Sequence, residues 1–341
     1  MSDDADRLSS LRPLRGLSAS DVRSFVDACI RLAVPAGTPL IHEGDRDCAM
    51  IFVLDGSLEV FRGPGGGRPP LRQTGPGGQL GELALLGLVR RRTASVRATT
   101  DADLLVLDDA GLARLRAQGH PVADRIEAEA LRALARSLRE VDARIARLAR
   151  GDADLPTRAA GWARLHEALA TARGGRVPPR DAPSVLARSA HFRRVPDPQR
   201  RRLARHLEPR PFAAGQAIVC EGDIGGDAWL IATGEVGAWR RTGDHHHERL
   251  ASLFPGTIFG QVAVIDGDVR TATCAGEAPG WLYRIPRELC QEELDRGSPE
   301  GRALRQGLLD ALTRQLQLGN DHLTLLQMEH AHRTAAAPWP N

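Results

Sequence analysis

The chain contains no lysine, so all 46 of its basic residues are arginine. A lysine-dependent phosphate loop and a Schiff-base mechanism are both excluded by that absence. Also missing are a Gly-x-x-x-x-Gly-Lys loop, a paired-carboxylate arrangement and a Ser/His/Asp constellation, so no enzymatic activity is expected and no catalytic residue is assigned. Five cysteines, Cys29, Cys48, Cys220, Cys274 and Cys290, form no Cys-x-x-Cys and leave an odd count. They are expected to be reduced, mostly buried thiols of a cytoplasmic protein. No run approaches the ~18 apolar residues that span a bilayer, so no membrane segment is expected. The opening Met-Ser-Asp-Asp-Ala-Asp is acidic and lacks an apolar core, which argues against a signal peptide. A formal charge of +3 is too small for a global nucleic-acid signature, and no basic tract is denser than Arg90-Arg91-Arg92 or Arg200-Arg201-Arg202.

What is present is the composition of a globular protein, 42% hydrophobic and 26% charged, in 341 residues that suffice for two domains of ordinary size. The most informative stretch runs from Gly81 to Val96. Gly81 permits close approach of backbone to a ligand, and the apolar run after it can form a helical turn or two with free N–H groups. Arg92 offers a planar fork for two phosphate oxygens, and Thr93 adds a hydroxyl and an N–H. Glu82 repels phosphate unless something donates to it, and a ribose hydroxyl is the obvious donor. A sugar hydroxyl and one anionic phosphate beside a short helix suggest a small cyclic phosphodiester.

The string Gly81-Glu82-Leu83-Ala84-Leu85, continued by Arg92-Thr93-Ala94-Ser95-Val96, resembles the phosphate-binding cassette of cyclic nucleotide-binding domains. The resemblance extends upstream to Pro35–Asp45 and Met50–Val60, which match that family's glycine-punctuated strands. It implies that Glu82 holds the ribose 2′-OH and Arg92 the cyclic phosphate, with Gly81, Leu83, Ala84 and Thr93 completing a first site. The expected ligand is a regulatory cAMP or cGMP, cAMP favoured, and no metal is expected. The implied fold is mainly β with α: two jelly-roll-like antiparallel β-barrels, each flanked by helices and followed by a long helix.

The second barrel follows from an internal repeat. Gly37 and Gly215, Glu43 and Glu221, Gly56 and Gly234, and Arg92 and Arg270 each lie 178 residues apart. A second, weaker site is expected at Gly260, Gln261, Val262, Ala263, Arg270 and Thr271. Here Gln261 stands where the family carries its acid, and a neutral acceptor makes a weaker hydrogen bond than a charged one. The second site could therefore bind more weakly, select differently or stay empty.

Taken in order, residues 1–10 read as a tail and 11–118 as nucleotide-binding domain A, opened by a helix capped near Ser18. A heptad-bearing helix spans 119–150, with Leu131, Leu134, Leu138, Val141, Ile145 and Leu148 spaced 3, 4, 3, 4, 3. Residues 151–180 form a linker with a short helix from Thr157 to Arg173. Domain B covers 181–298, a C-terminal helix 299–330, and a tail 331–341. That last helix carries Leu309, Leu312, Leu316, Leu323 and Leu326, its seam interrupted by Gly319. The two long helices could pair within one chain or between chains. A matched self-pair of the regular seam buries its edge better than an unequal pair, so a homodimer through Leu131–Leu148 is expected.

The function expected is that of a cytoplasmic cyclic-nucleotide receptor that regulates an unidentified effector protein through helix rearrangement. A transcription factor is the alternative, disfavoured because no helix-turn-helix is evident after the long helices, and DNA is not an expected partner. A scaffold with degenerate ligand sites is the third possibility. Asp244-His245-His246-His247-Glu248 reads as a solvated loop rather than a metal site.

Overall fold

A computed structural model of the protein describes residues 7, 8, 10–63, 71–89, 91–149, 180–242 and 247–335. The expected helix Thr157–Arg173, the linker 151–179, residues 244–246 and the tail beyond 335 lie outside the described residues. The chain divides into two compact units, Met1–Ala130 and Leu131–Asn341.

In the first unit, Ser18 accepts a hydrogen bond from the Asp21 amide at 3.1 Å and caps helix α1 (Ala19–Ala28), which buries Phe25. Strands β1 (Ile30–Val34), β2 (Pro39–Ile41), β3 (Ala49–Asp55), β4 (Leu58–Phe61), β5 (Arg72–Thr74), β6 (Gln79–Leu80), β7 (Ser95–Ala98) and β8 (Ala102–Asp108) follow. They make two antiparallel four-stranded sheets, ordered β1-β8-β3-β6 and β2-β7-β4-β5.

The apolar run along β3 serves two cores, which is why it does not alternate with polar residues. Ile51 and Val53 join Ile41, Leu58, Leu80, Val96 and Leu104 in one. Met50, Phe52 and Leu54 point the other way and pack with α1 and with helix α3 (Asp109–Ala117), where Phe25 meets Phe52 edge-on at 5.3 Å. Between β6 and β7 lies the short helix α2 (Glu82–Leu85).

The second unit comprises α5 (Ala182–Arg188), α6 (Asp197–Ala204), β9 (Glu208–Phe212), β10 (Ala217–Val219), β11 (Ala228–Arg241), β12 (His247–Leu253), β13 (Ile258–Phe259), α7 (Gln261–Asp266), β14 (Thr273–Ile285), α8 (Arg287–Glu293) and α9 (Pro299–Ala335). Its strands form one six-stranded sheet ordered β10-β14-β11-β12, with β13 beside β11 and β9 beside β14. The long strands β11 and β14 cover what the first unit divides into shorter pieces, and their register shifts cluster near Gly234. The jelly-roll class is as expected, but the sheets are open rather than closed barrels. Register breaks at the glycine-marked corners let strands change direction without joining first strand to last.

The repeat is visible in the hydrogen bonds. The Gly44 amide donates to the Arg92 carbonyl at 2.9 Å and Gly222 to Arg270 at 3.0 Å, while Glu43 donates to Ser95 Oγ and Glu221 to Thr273 Oγ1, both at 3.0 Å.

Helix α4 (Pro121–Leu148) crosses the boundary between the units. Its heptad residues from Leu131 onward are covered by their own chain: Leu131, Leu134, Leu138, Val141 and Ile145 are all buried. Val141 and Ile145 cluster with Leu323, and Leu148, Leu250, Leu316 and Leu326 pack around them. The seam expected to pair between two copies is thus covered within one chain, in part by α9. Gly319 does not merely interrupt the partner seam: a Cβ there would lie 3.0 Å from Val141 Cγ1, so its lack of a side chain permits the close approach of α9 to α4.

The thiols also depart from expectation. Cys274 and Cys290 are buried and Cys29 half-buried, and burial pushes all three up to about 12. Cys48 and Cys220 are exposed, because they sit in the turns leading into β3 and out of β10 rather than on inward strand faces. Among the described residues no helix is long and apolar enough to cross a membrane, and no group of three metal-ligating side chains converges.

Candidate functional site

Each unit places a glycine, a short helix and an arginine at the mouth of its sheet. Gly81 and Gly260 have positive φ, 94° and 77°, and precede α2 and α7. Neither position tolerates a side chain: a Cβ on Gly81 would come within 2.6 Å of Ala49 O and of Arg92 Nη1, and one on Gly260 within 2.8 Å of Arg270 Nη1. The arginine packs directly beneath the backbone that starts the helix, so glycine and arginine are one device.

The two arginines occupy equivalent frames with different partners. Arg92, 5% exposed, donates to Ala49 O at 2.7 Å and pairs with Asp47, its Nε lying 3.0 Å from Oδ1. The hydrogen bonds from Arg92 hold the Asp47 carboxyl below the usual range. Arg270, 6% exposed, donates to Asp227 O at 2.6 Å and to the carbonyl of Gly260. The position corresponding to Asp47 is Gly225, and among the described residues Arg270 makes no ion pair. Burial lowers its pKa, but a guanidinium titrates so high that it stays charged. The second unit thus holds a buried cation with no carboxylate on it.

In the first unit, Gly81, Glu82, Leu83, Ala84, Arg92 and Thr93 all line one cavity of about 150 Å³, together with Arg72, Leu80, Val89 and Val96. Glu82 is half-buried there. Arg72, at the start of β5, was missed by sequence reasoning; it donates to Thr74 Oγ1 at 3.1 Å and to Gln79 O at 2.9 Å, and nothing in its short strand marks it in advance.

Gly260, Gln261, Val262, Ala263, Arg270 and Thr271 likewise share one cavity, of about 420 Å³. Small-molecule sites run from about 300 to 1,000 Å³, so the second cavity is of ligand size as it stands and the first is not. Gln261 is 1% exposed; its Nε2 donates to Gln315 Oε1 at 2.7 Å, and Gln315 in turn donates to Ile258 O at 3.0 Å. The Gln261 Oε1 atom is buried without a donor. An unmatched buried acceptor is costly, and among the described residues nothing offsets this one, on a residue that lines the cavity.

Two further residues were invisible in the sequence because other elements bring them in. Gln315 comes from α9. Asp142 comes from α4, is 7% exposed and lines the same cavity. Burial pushes its carboxyl up to about 6, against the opposing pull of Thr271, Arg240 and Arg139.

Residues 31–118 and 209–296, over half of the chain, match the cyclic nucleotide-binding domain family. A CRP-like cAMP-activated global transcriptional regulator of Mycobacterium tuberculosis is 27% identical over 140 residues, 41% of this chain and 60% of that protein. The cAMP-dependent protein kinase regulatory subunit of Dictyostelium discoideum is 25% identical over 250 residues, 72% of this chain and 59% of that protein. The chain therefore spans about 60% of the length of these curated relatives. Among solved structures, the regulatory domain of Toxoplasma gondii PKA with cAMP aligns over 86% of this chain and 93% of that one, at 18% identity and a TM-score of 0.32.

Proposed function

This chain belongs to the cyclic nucleotide-binding domain family, and from that premise we propose that it is a non-enzymatic receptor that takes one cyclic nucleotide in each unit and regulates a partner protein in response. The observation that carries this reading is the pair of buried arginines, Arg92 and Arg270, each beneath the glycine of a cassette helix and each lining a cavity with Glu82 or Gln261 at its wall. A guanidinium at that depth suits a phosphodiester oxygen pair. A carboxylate or amide oxygen a helical turn away suits a ribose hydroxyl.

In the first site Glu82 would accept from the 2′-OH and Arg92, released in part from Asp47, would bind the phosphate. In the second site Gln261, released in part from Gln315, would accept from the 2′-OH and Arg270 would bind the phosphate. The names of the relatives favour cAMP over cGMP as the ligand, and the kinase regulatory subunits among them suggest an effector protein as the partner. Ligand energy reaches a partner only if the nucleotide prefers one arrangement of the surrounding helices. Helices α4 and α9 qualify as those elements in the second unit, since both contribute side chains to its cavity wall.

The test is calorimetric titration of the intact protein with cAMP, cGMP and a cyclic dinucleotide. Two binding events per chain with cAMP, one lost in Arg92→Ala and the other in Arg270→Ala, are expected. Titrations indistinguishable from wild type in both variants would remove the phosphate from these cassettes.

A further inference from the structure

Helix α9 holds the side chain that stands at the acid position of the second cassette. Gln315 Nε2 donates to the Ile258 carbonyl at 3.0 Å, and Gln315 Oε1 accepts from Gln261 Nε2 at 2.7 Å. An amide nitrogen cannot accept and an amide oxygen cannot donate, so the β13 carbonyl fixes the orientation of both side chains. In this arrangement Gln261 is 1% exposed, and its Oε1, the atom that a ribose hydroxyl would need, is itself buried. The counterpart Glu82 is not held in this way. Among the described residues no hydrogen bond or ion pair engages its carboxylate, which stands half-buried at the wall of the first cavity.

We propose that Gln315 sets how strongly the second site reads the ribose 2′-hydroxyl, and that by engaging Gln261 it makes this site nearly indifferent to that group. The proposal rests on the reading of the second cassette as a cyclic-nucleotide site and goes beyond it by naming what selects the ligand there. For the 2′-OH to donate to Gln261 Oε1, the amide has to turn away from α9. The Gln315 oxygen then loses its donor as the Gln261 oxygen gains one. One neutral hydrogen bond replaces another, and the hydroxyl adds almost nothing to affinity.

The exchange of acid for amide does not produce this result by itself. A neutral acceptor that is free to meet the ligand still contributes about three- to tenfold in affinity, and a charged one about ten- to a hundredfold. Gln261 without its partner would therefore read the hydroxyl weakly, and with its partner hardly at all. The ligands that fit the second site are cyclic nucleotides with or without a 2′-hydroxyl, whereas the free carboxylate of Glu82 suits the first to ribose alone.

The experiment is calorimetric titration of the full chain with cAMP and with its 2′-deoxy analogue, in an Arg92→Ala background that leaves the second site. The quantity read is the ratio of the two affinities, in which a general disturbance of the fold or of the phosphate contact cancels. With Gln315 in place the ratio is expected to lie below about threefold. Gln315→Leu and Gln315→Ala, two ways of removing the acceptor, should each raise it by about three- to tenfold. Gln315→Glu keeps an acceptor for Gln261 Nε2 and should leave it low. A ratio above about threefold with Gln315 in place would overturn the proposal while cAMP binding persists. So would a ratio that the Leu and Ala variants leave unchanged, or one that rises alike in all three variants. If the Arg92→Ala chain binds no cAMP, or Arg270→Ala titrates like wild type, the second cassette is not a nucleotide site and both readings fall.

Discussion

Arg92 and Arg270 share a backbone frame but differ in charge environment, and this difference sets what each substitution should do. Removing one partner of a desolvated charge pair typically costs about 2–5 kcal/mol. Arg92→Ala should therefore abolish measurable binding at the first site and leave the second, and Arg270→Ala should do the reverse, as read by calorimetric site counts. Asp142 makes a separate prediction in the absence of ligand. Its folded-state pKa is raised from 3.8 to about 6, so the folded protein holds this proton more tightly than the unfolded chain. Stability from this group is thus greatest below about pH 4, falls as pH rises to about 6, and is flat above. Asp142→Asn should remove that decline and make the protein more stable at pH 7 by on the order of 2 kcal/mol. Urea unfolding from pH 4 to pH 8 measures it, and parallel pH curves for the two proteins would show that Asp142 is not buried as described.

Among the elements, α4 is the one whose role the heptad spacing leaves open. Its periodicity is real, and all five seam residues from Leu131 to Ile145 are buried, but the surface that covers them is the chain's own. At Gly319 a Cβ would lie 3.0 Å from Val141 Cγ1, a contact tight enough that Val141 would have to give way. Gly319→Leu should overpack this crossing and destabilise the second unit by about 1–3 kcal/mol. A change in the urea midpoint tests it, and an unchanged or raised midpoint would mean that α9 is free to shift. Leu138→Arg with Ile145→Arg should act in the same direction more strongly, since each buries a charge without a partner. The expected readout is loss of folded structure, not dissociation of a dimer.

At the scale of the whole molecule, the duplication makes two units with the same hydrogen-bonded frame and different cavities. The prediction that follows from the occupied seam is a monomer in sedimentation at micromolar concentration. A dimer at that concentration would restore the interchain pairing. The cavities differ in a way that opposes a simple ranking by Glu82 and Gln261. The first carries the acid but is small, and its arginine is already paired; the second carries the amide but is roomy, and its arginine has only carbonyls.

The repeat, the cassette residues and the jelly-roll class were legible in the sequence because they rest on local requirements. Positive φ at Gly81 and Gly260, alternation and burial along strands, and an arginine ten or eleven residues after the glycine all depend on near neighbours in the chain. The cassettes even differ in length, by one residue between helix start and arginine, and the sequence alone records that. What surrounds those cassettes was decided only by tertiary structure. Asp47 on Arg92, Asp142 and Gln315 in the second cavity, and the cover over the α4 seam come from elements tens to hundreds of residues away. A heptad specifies an apolar stripe but not which surface will bury it, because the hydrophobic effect is non-directional. An aspartate on a helix reads as a solvated charge until the fold buries it against a neighbouring cassette.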